Sequence, residues 1–231
     1  MSVAEAISVP RDAATVVVIR DPAGSAPSVL MGQRGATAAF MPESFVFPGG
    51  AVDPGDADVP LLGAINATCA LRLADETPAR IVPALAAAAI RELWEETGLI
   101  FGETALWPDA PPGWEGFAAL GLRPSASALR YFLRAVTPPG RSRRFDARFF
   151  VADAANLVAD PDDFSRASGE LSSLQWVPLH AARDFPLPII TQVALAAATS
   201  ALPSLEPPAE IPFLRQGATA WLAALEERGA R

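Results

Sequence analysis

One stretch, residues 84–98, restricts the fold of this chain more than any other. It reads Ala-Leu-Ala-Ala-Ala-Ala-Ile-Arg-Glu-Leu-Trp-Glu-Glu-Thr-Gly. Alanine is the strongest helix former, Pro83 suits the first position of a helix, and a final glycine suits the left-handed residue that ends one. In a helix, Glu92, Glu95 and Glu96 lie three and four residues apart and share one face. The stretch therefore predicts a helix whose last turns bring three carboxylates together.

Three carboxylates on one helical face need compensation, because each exposed pair repels by about 1 kcal/mol or more at this spacing. Mg²⁺ or Mn²⁺ would offset the repulsion, since hard cations prefer carboxylate oxygens. Arg91 and neighbouring arginines are a second means of compensation. A third interpretation is an acidic face that is simply solvated. The helix taken alone leaves these three open.

The composition excludes several kinds of chemistry. All 18 basic residues are arginine, and the lack of lysine excludes Schiff-base enzymes and lysine-bearing P-loops. The single histidine, His180, excludes His-rich zinc sites, and we expect it to be a surface or capping residue. The single cysteine, Cys69, excludes an intramolecular disulfide. A net charge of −8 argues against a nucleic-acid partner. If the chain is an enzyme, carboxylates and arginines carry the chemistry.

No stretch reaches the apolar length of a membrane span, and the N-terminus lacks the pattern of a secretory signal. We therefore expect a cytoplasmic protein with no membrane partner. At 231 residues and 51% apolar composition, the chain can bury a sizeable core as one domain with extensions.

A glycine-rich loop precedes the predicted helix: residues 47–56 read Phe-Pro-Gly-Gly-Ala-Val-Asp-Pro-Gly-Asp. Its two adjacent glycines allow close approach of the backbone to a ligand and leave carbonyl oxygens accessible to a cation. Two parts of the sequence together resemble the signature of the Nudix hydrolases. The first part is Gly50, followed after five residues by Asp56, and the second is Arg-Glu-Leu-Trp-Glu-Glu-Thr-Gly-Leu at 91–99. Every defined position within 91–99 matches.

The first half of the signature departs from the family pattern twice. Asp56 stands where the pattern has Glu, and 34 residues (57–90) stand where the pattern has seven. An insertion at this point is similar to the branch typified by peroxisomal coenzyme A diphosphatase. Because aspartate is one methylene shorter than glutamate, it is open whether Asp56 reaches Arg91.

The resemblance implies an α+β fold of the Nudix type, which is an α/β/α sandwich around a mixed sheet. It places one domain over residues 1–200, with a helical insertion at 57–83, and a C-terminal helical extension over 201–231 packed on that domain. Local patterns predict strands at 13–20, 28–34, 44–47, 129–136 and 171–177, and helices at 61–73, 186–200 and 214–228. We expect Trp107 and Trp114 to fill the edge of the core, with stacking on a base as the alternative.

The resemblance also implies a reaction. This is metal-dependent hydrolysis of the phosphoanhydride bond of a nucleoside diphosphate linked to another group X, with Mg²⁺ or Mn²⁺ as cofactor. Coenzyme A or acyl-coenzyme A is the leading substrate, and ADP-ribose or another dinucleotide is the alternative. A nucleotide-binding module without turnover is the third option. The partner is then a small nucleotide, and a homodimer is compatible with this function.

Site residues follow from the same resemblance. Glu92, Glu95 and Glu96, with the Gly50 carbonyl, are the metal ligands it implies. Arg91 would orient a neighbouring glutamate, and Glu92 or Glu95 is a candidate for the base that activates water. Glu170 precedes an apolar strand ending in Trp-Val and is an additional candidate ligand or base.

Arginines are the candidates for substrate binding. Arg34 ends the second predicted strand and is either solvated or a phosphate ligand. Residues 141–148 contain four more arginines, of which Arg143, Arg144 and Arg148 are candidates for binding the coenzyme A 3′-phosphate, because guanidinium groups match phosphate geometry. A solvated run of charges is the alternative.

Overall fold

A computed structural model describes residues 9–36, 42–75, 77–141, 143–158 and 160–215. The chain begins with the strands β1 (Arg11–Arg20), β2 (Ser28–Arg34), β3 (Phe45–Val46) and β4 (Gly49–Ala51). Helices α1 (Ala67–Leu73) and α2 (Ile81–Thr97) follow. The remaining elements are β5 (Gly102–Thr104), α3 (Glu115–Ala119), β6 (Leu122–Pro124), β7 (Arg130–Val136), β8 (Phe145–Asp153), β9 (Leu171–Pro178), α4 (Ile189–Ser200) and β10 (Phe213–Leu214).

The main sheet is mixed, as the resemblance implies. Its strand order is β10-β7-β8-β1-β2-β3, with β4 also paired to β1 and β9 to β2. β1 pairs parallel with β8, and β10 pairs parallel with β7, while the other pairs are antiparallel. β5 and β6 form a separate two-stranded sheet.

β1 shows why the fold is a sandwich. Its central residues are apolar and β-branched, and successive side chains of a strand point to opposite faces. Val16 and Val18 lie in one hydrophobic core, and Val17 and Ile19 lie in the other. The first core contains residues of α1, α2 and α3, and the second contains residues of α4. Both faces of the sheet are therefore covered, which confirms the predicted fold class.

The alanine-rich half of α2 is buried on every side. Residues 84–90 have no exposed surface, whereas a helix on the outside of a layer leaves one face in water. The insertion supplies part of the cover, because Val59, Cys69 and Leu73 lie in the same core as α2. Trp107 and Trp114 are buried in that core as well, so they fill its edge as predicted.

Some predicted helix boundaries differ from the structure. α2 begins at Ile81, which makes Pro83 its third residue instead of its first. The helix predicted over 61–73 covers only Ala67–Leu73, because Asn66 caps it by accepting hydrogen bonds from the amides of Thr68 and Cys69. Most of the helix predicted over 214–228 lies outside the described residues. Among the described residues, no helix is both long and apolar enough to cross a membrane.

Candidate active site

The C-terminal end of α2 carries the glutamates, and Gly98 ends the helix. Gly98 has a φ of 77°, and its amide donates to the Trp94 carbonyl at 2.8 Å. The Thr97 hydroxyl donates to the Leu93 carbonyl at 2.6 Å and accepts from the Leu99 amide at 3.1 Å. These bonds satisfy the end of the helix as the C-cap pattern predicts.

The glycine loop lies directly against the glutamates. β4 pairs with β1 so that Gly50 lies opposite Ala14. The Gly49 amide donates to a Glu96 carboxylate oxygen at 2.9 Å. A Cβ atom at Gly50 would overlap the Glu92 carboxylate. Glycine at position 50 is therefore required for Glu92 to lie against the loop.

Arg91 ties the loop to the helix. Its Nε and Nη2 donate to the two Asp56 carboxylate oxygens at 2.9 and 3.0 Å, and Nη2 also donates to the Ala51 carbonyl at 2.9 Å. Its Nη1 donates to Glu92 at 2.9 Å and to Glu95 at 3.0 Å. Burial alone would lower the pKa of Arg91, but the three carboxylates hold that pKa above its ordinary value. The shorter side chain of Asp56 does reach Arg91, because a 3-10 turn at Pro54–Asp58 packs against α2.

Glu96 is buried and Glu92 is partly buried, and the negative charge of each is incompletely compensated. Burial raises the pKa of Glu92 to about 7; Arg91 opposes this rise, and Glu95 and Glu170 add to it. Burial also raises the pKa of Glu96 to about 8; the Gly49 amide and Arg34 oppose this rise, and Glu92 and Glu170 add to it. Each raised pKa means that the site favours the neutral carboxyl group unless more positive charge is supplied.

Arg34 and Glu170 reach the same site from neighbouring strands. Arg34 ends β2 and pairs with Leu171, the first residue of β9, so Glu170 immediately precedes its strand partner. The half-buried Arg34 guanidinium donates no hydrogen bond to any described residue. Glu170 is exposed. Both charges act on the pKa of Glu96: Arg34 lowers it and Glu170 raises it.

Comparison with known proteins agrees with this geometry. No protein-family profile matches the chain. A Caenorhabditis elegans protein named nudix hydrolase 7 is 32% identical over 161 residues, a match that covers 64% of this chain and 46% of that protein. The crystal structure of a NUDIX hydrolase from Alicyclobacillus acidocaldarius has a TM-score of 0.61 and 30% sequence identity, and the match covers 86% of this chain and 94% of that one. This chain belongs to the Nudix hydrolase family.

The Nudix signature is thus interrupted in sequence but continuous in space. Asp56 and Arg91 are 35 positions apart and form a bidentate pair, so the two halves of the signature meet despite the insertion. The insertion itself contacts other parts of the fold. The Leu62 amide donates to the Pro124 carbonyl at 2.9 Å, and the Tyr131 amide donates to the Cys69 sulfur at 3.4 Å.

The fit of a divalent cation to this Nudix site depends on the carboxylates. Among the described residues, no three Asp, Glu, His or Cys side chains form a ready metal-binding group, and Arg91 holds two of the glutamates in hydrogen bonds. The donor set nevertheless suits a hard cation, because the partly buried Glu92 and the buried Glu96 lie beside a glycine backbone and lack full compensation of their charge. The residues present therefore fit Mg²⁺ or Mn²⁺.

The arginines of residues 141–148 differ in their surroundings. Arg148 is 2% exposed and forms ion pairs with Asp12 and Asp146, and its Nη2 donates to the Thr77 hydroxyl at 2.9 Å. The Arg144 Nε donates to the Thr137 carbonyl at 3.0 Å. Arg143 is exposed two residues before β8. Arg148 is thus occupied in holding the insertion to the sheet.

One contact at the site escaped sequence reasoning. The Ser168 amide donates to the Glu95 carbonyl at 2.9 Å, which joins the segment before β9 to the last turns of α2. Its donor is a backbone group, so no residue type signals it. The only local hint is Gly98, where a Cβ atom would lie 2.9 Å from the Cβ of Arg166.

Proposed function

We propose that this Nudix protein hydrolyses the phosphoanhydride bond of a nucleoside diphosphate linked to another group X, with Mg²⁺ or Mn²⁺. The observation that carries the proposal is the contact of Gly49 and Gly50 with Glu96 and Glu92, two carboxylates whose pKa values burial raises. A purely structural acidic face would be solvated, and this one is largely buried.

In this proposal Glu92 and Glu96 would hold the cation, with the Gly50 carbonyl and Glu95 completing the set. A bound cation would supply neutralisation of phosphate charge and activation of water. Arg91 keeps Glu92 and Glu95 oriented through its shared Nη1 donor.

The remaining groups serve the substrate and the water. Glu170 is exposed and raises the pKa values of Glu92 and Glu96, so in this proposal its carboxylate would accept the proton of the attacking water. The Arg34 guanidinium donates to no other described residue, so in this proposal it binds a phosphate oxygen of the substrate.

Coenzyme A or acyl-coenzyme A is the first candidate substrate, and the position of the insertion in the signature supports it. ADP-ribose or another dinucleotide is the second candidate. The burial of Arg148 favours this alternative, because a guanidinium that is 2% exposed and paired with Asp12 and Asp146 is not accessible to a 3′-phosphate. Arg143 and Arg144 remain as residues that could bind that phosphate.

Product analysis tests the proposal directly. The protein is incubated with coenzyme A, ADP-ribose and NADH, each with Mg²⁺, Mn²⁺ or a chelator, and the products are resolved by chromatography. We expect metal-dependent release of nucleoside monophosphate or its 3′-phosphorylated form, and a loss of orders of magnitude in Glu96→Gln with the fold intact. Full activity in excess chelator would overturn the proposal, and nucleotide binding without turnover would reassign the chain to the non-catalytic modules.

A further inference from the structure

The segment of residues 161–170, which carries Glu170, is held by contacts near both of its ends. At its start, the Trp176 indole N–H donates to the Pro161 carbonyl at 3.0 Å, and Arg20 pairs with Asp162 at 2.8 Å. The Arg20 guanidinium also lies 4.1 Å from the centre of a Trp176 ring. At its end, the Ser168 amide donates to the Glu95 carbonyl at 2.9 Å. The segment therefore crosses from the edge of the sheet to the last turns of α2.

Ser168 forms hydrogen bonds with both Glu95 and Glu170. Besides its backbone bond to Glu95, its hydroxyl accepts a hydrogen bond from the Glu170 amide at 3.3 Å. Ser168 is exposed and its side chain packs in neither core. Its two bonds thus connect the backbone of Glu170 directly to the helix that bears the other glutamates.

We propose that Ser168 is a positioning residue that holds Glu170 at the last turns of α2, which bear Glu92, Glu95 and Glu96. This inference rests on the proposed function, because it assigns Glu170 a role in that reaction. Without the Ser168 hydroxyl, the Glu170 amide loses its partner and the Glu170 backbone gains freedom at the end of the segment. Small displacements of a reacting group have large effects on rate, since catalysis needs near-contact geometry.

The test is a double-mutant cycle between Ser168 and Glu170. Ser168→Ala should lower kcat by about fivefold with KM unchanged, because the backbone bond to Glu95 remains. In a Glu170→Gln background, the same substitution should have no further effect on kcat. Ser168→Thr keeps the hydroxyl and should restore the wild-type kcat.

A matched control exists in the same chain. The Ser204 hydroxyl accepts from the Glu206 amide at 3.4 Å, which is the same kind of turn at a place away from the glutamates. Ser204→Ala should leave kcat and KM unchanged, and both alanine variants should melt at the wild-type temperature.

The outcomes separate this inference from the proposed function. If the wild type hydrolyses none of the three substrates, the proposed function is overturned, and this inference with it. If the wild type is active but Ser168→Ala keeps full kcat, or loses equally in the Glu170→Gln background, the inference alone is overturned. A loss of the same size in Ser204→Ala would also overturn it.

Discussion

The ion pair between Asp56 and Arg91 offers the most direct test of how this site is held together. Asp56→Asn preserves size but removes the charge of a carboxylate that is 2% exposed and makes two bonds to Arg91. Breaking a buried ion pair costs about 3–5 kcal/mol. We expect about 3 kcal/mol, because Arg91 keeps its bonds to Glu92, Glu95 and the Ala51 carbonyl. For a chain of this size, the melting temperature should then fall by roughly 6–12 °C.

Asp53→Asn is the matched control for this substitution. Asp53 is also an aspartate facing Arg91, but the separation is 3.8 Å and its side chain is 59% exposed. Exposed pairs contribute about 1 kcal/mol or less. Thermal and urea unfolding of both variants in chelator, followed by circular dichroism, measures the difference. Equal losses in the two variants, or a shift of less than about 2 °C for Asp56→Asn, would refute the argument that burial decides the strength of this pair.

The remaining predictions concern pH, substrate binding and the insertion. Because the pKa of Glu96 rises from 4.5 to about 8 on folding, its contribution to stability is complete below about pH 4.5 and is lost as pH rises through 8. Urea unfolding of the metal-free protein should show this slope, and Glu96→Gln should reduce it to the part that Glu92 contributes. Arg34→Ala should raise KM roughly tenfold to a hundredfold in steady-state kinetics. Arg183→Ala is the control and should leave KM unchanged, because Arg183 lies in an exposed turn whose neighbour Ala182 packs in the core that contains α4. Replacing residues 57–82 by a short Gly/Ser linker should lower the melting temperature, because Val59 and Leu73 are removed from the core. The ratio of kcat/KM for coenzyme A to that for ADP-ribose should stay unchanged. A changed ratio would show that the insertion contacts the substrate.

Several features of this protein were determined by the sequence alone, because they depend on neighbouring residues. The alanine run and Gly98 predict α2 and its end, since helix propensity and capping act within a few positions. Short runs of apolar residues, bounded by turn residues, make β1 and β2 recognisable as strands. The spacing of the glutamates places them on one helical face, and the signature at 91–99 identifies the family.

Other features were decided only by the tertiary structure, because they join residues that are distant in the chain. Asp56 reaches Arg91 across 35 positions, which its side-chain length could not predict, since the approach of the turn to α2 sets the distance. Arg148 looks like a phosphate ligand in a run of arginines, yet it is buried against Asp12, 136 positions away. Ser168 joins Glu95 through a backbone amide that every residue except proline possesses. Residue types determine which contacts are chemically possible, and the packing of the sheet and helices determines which of these contacts form.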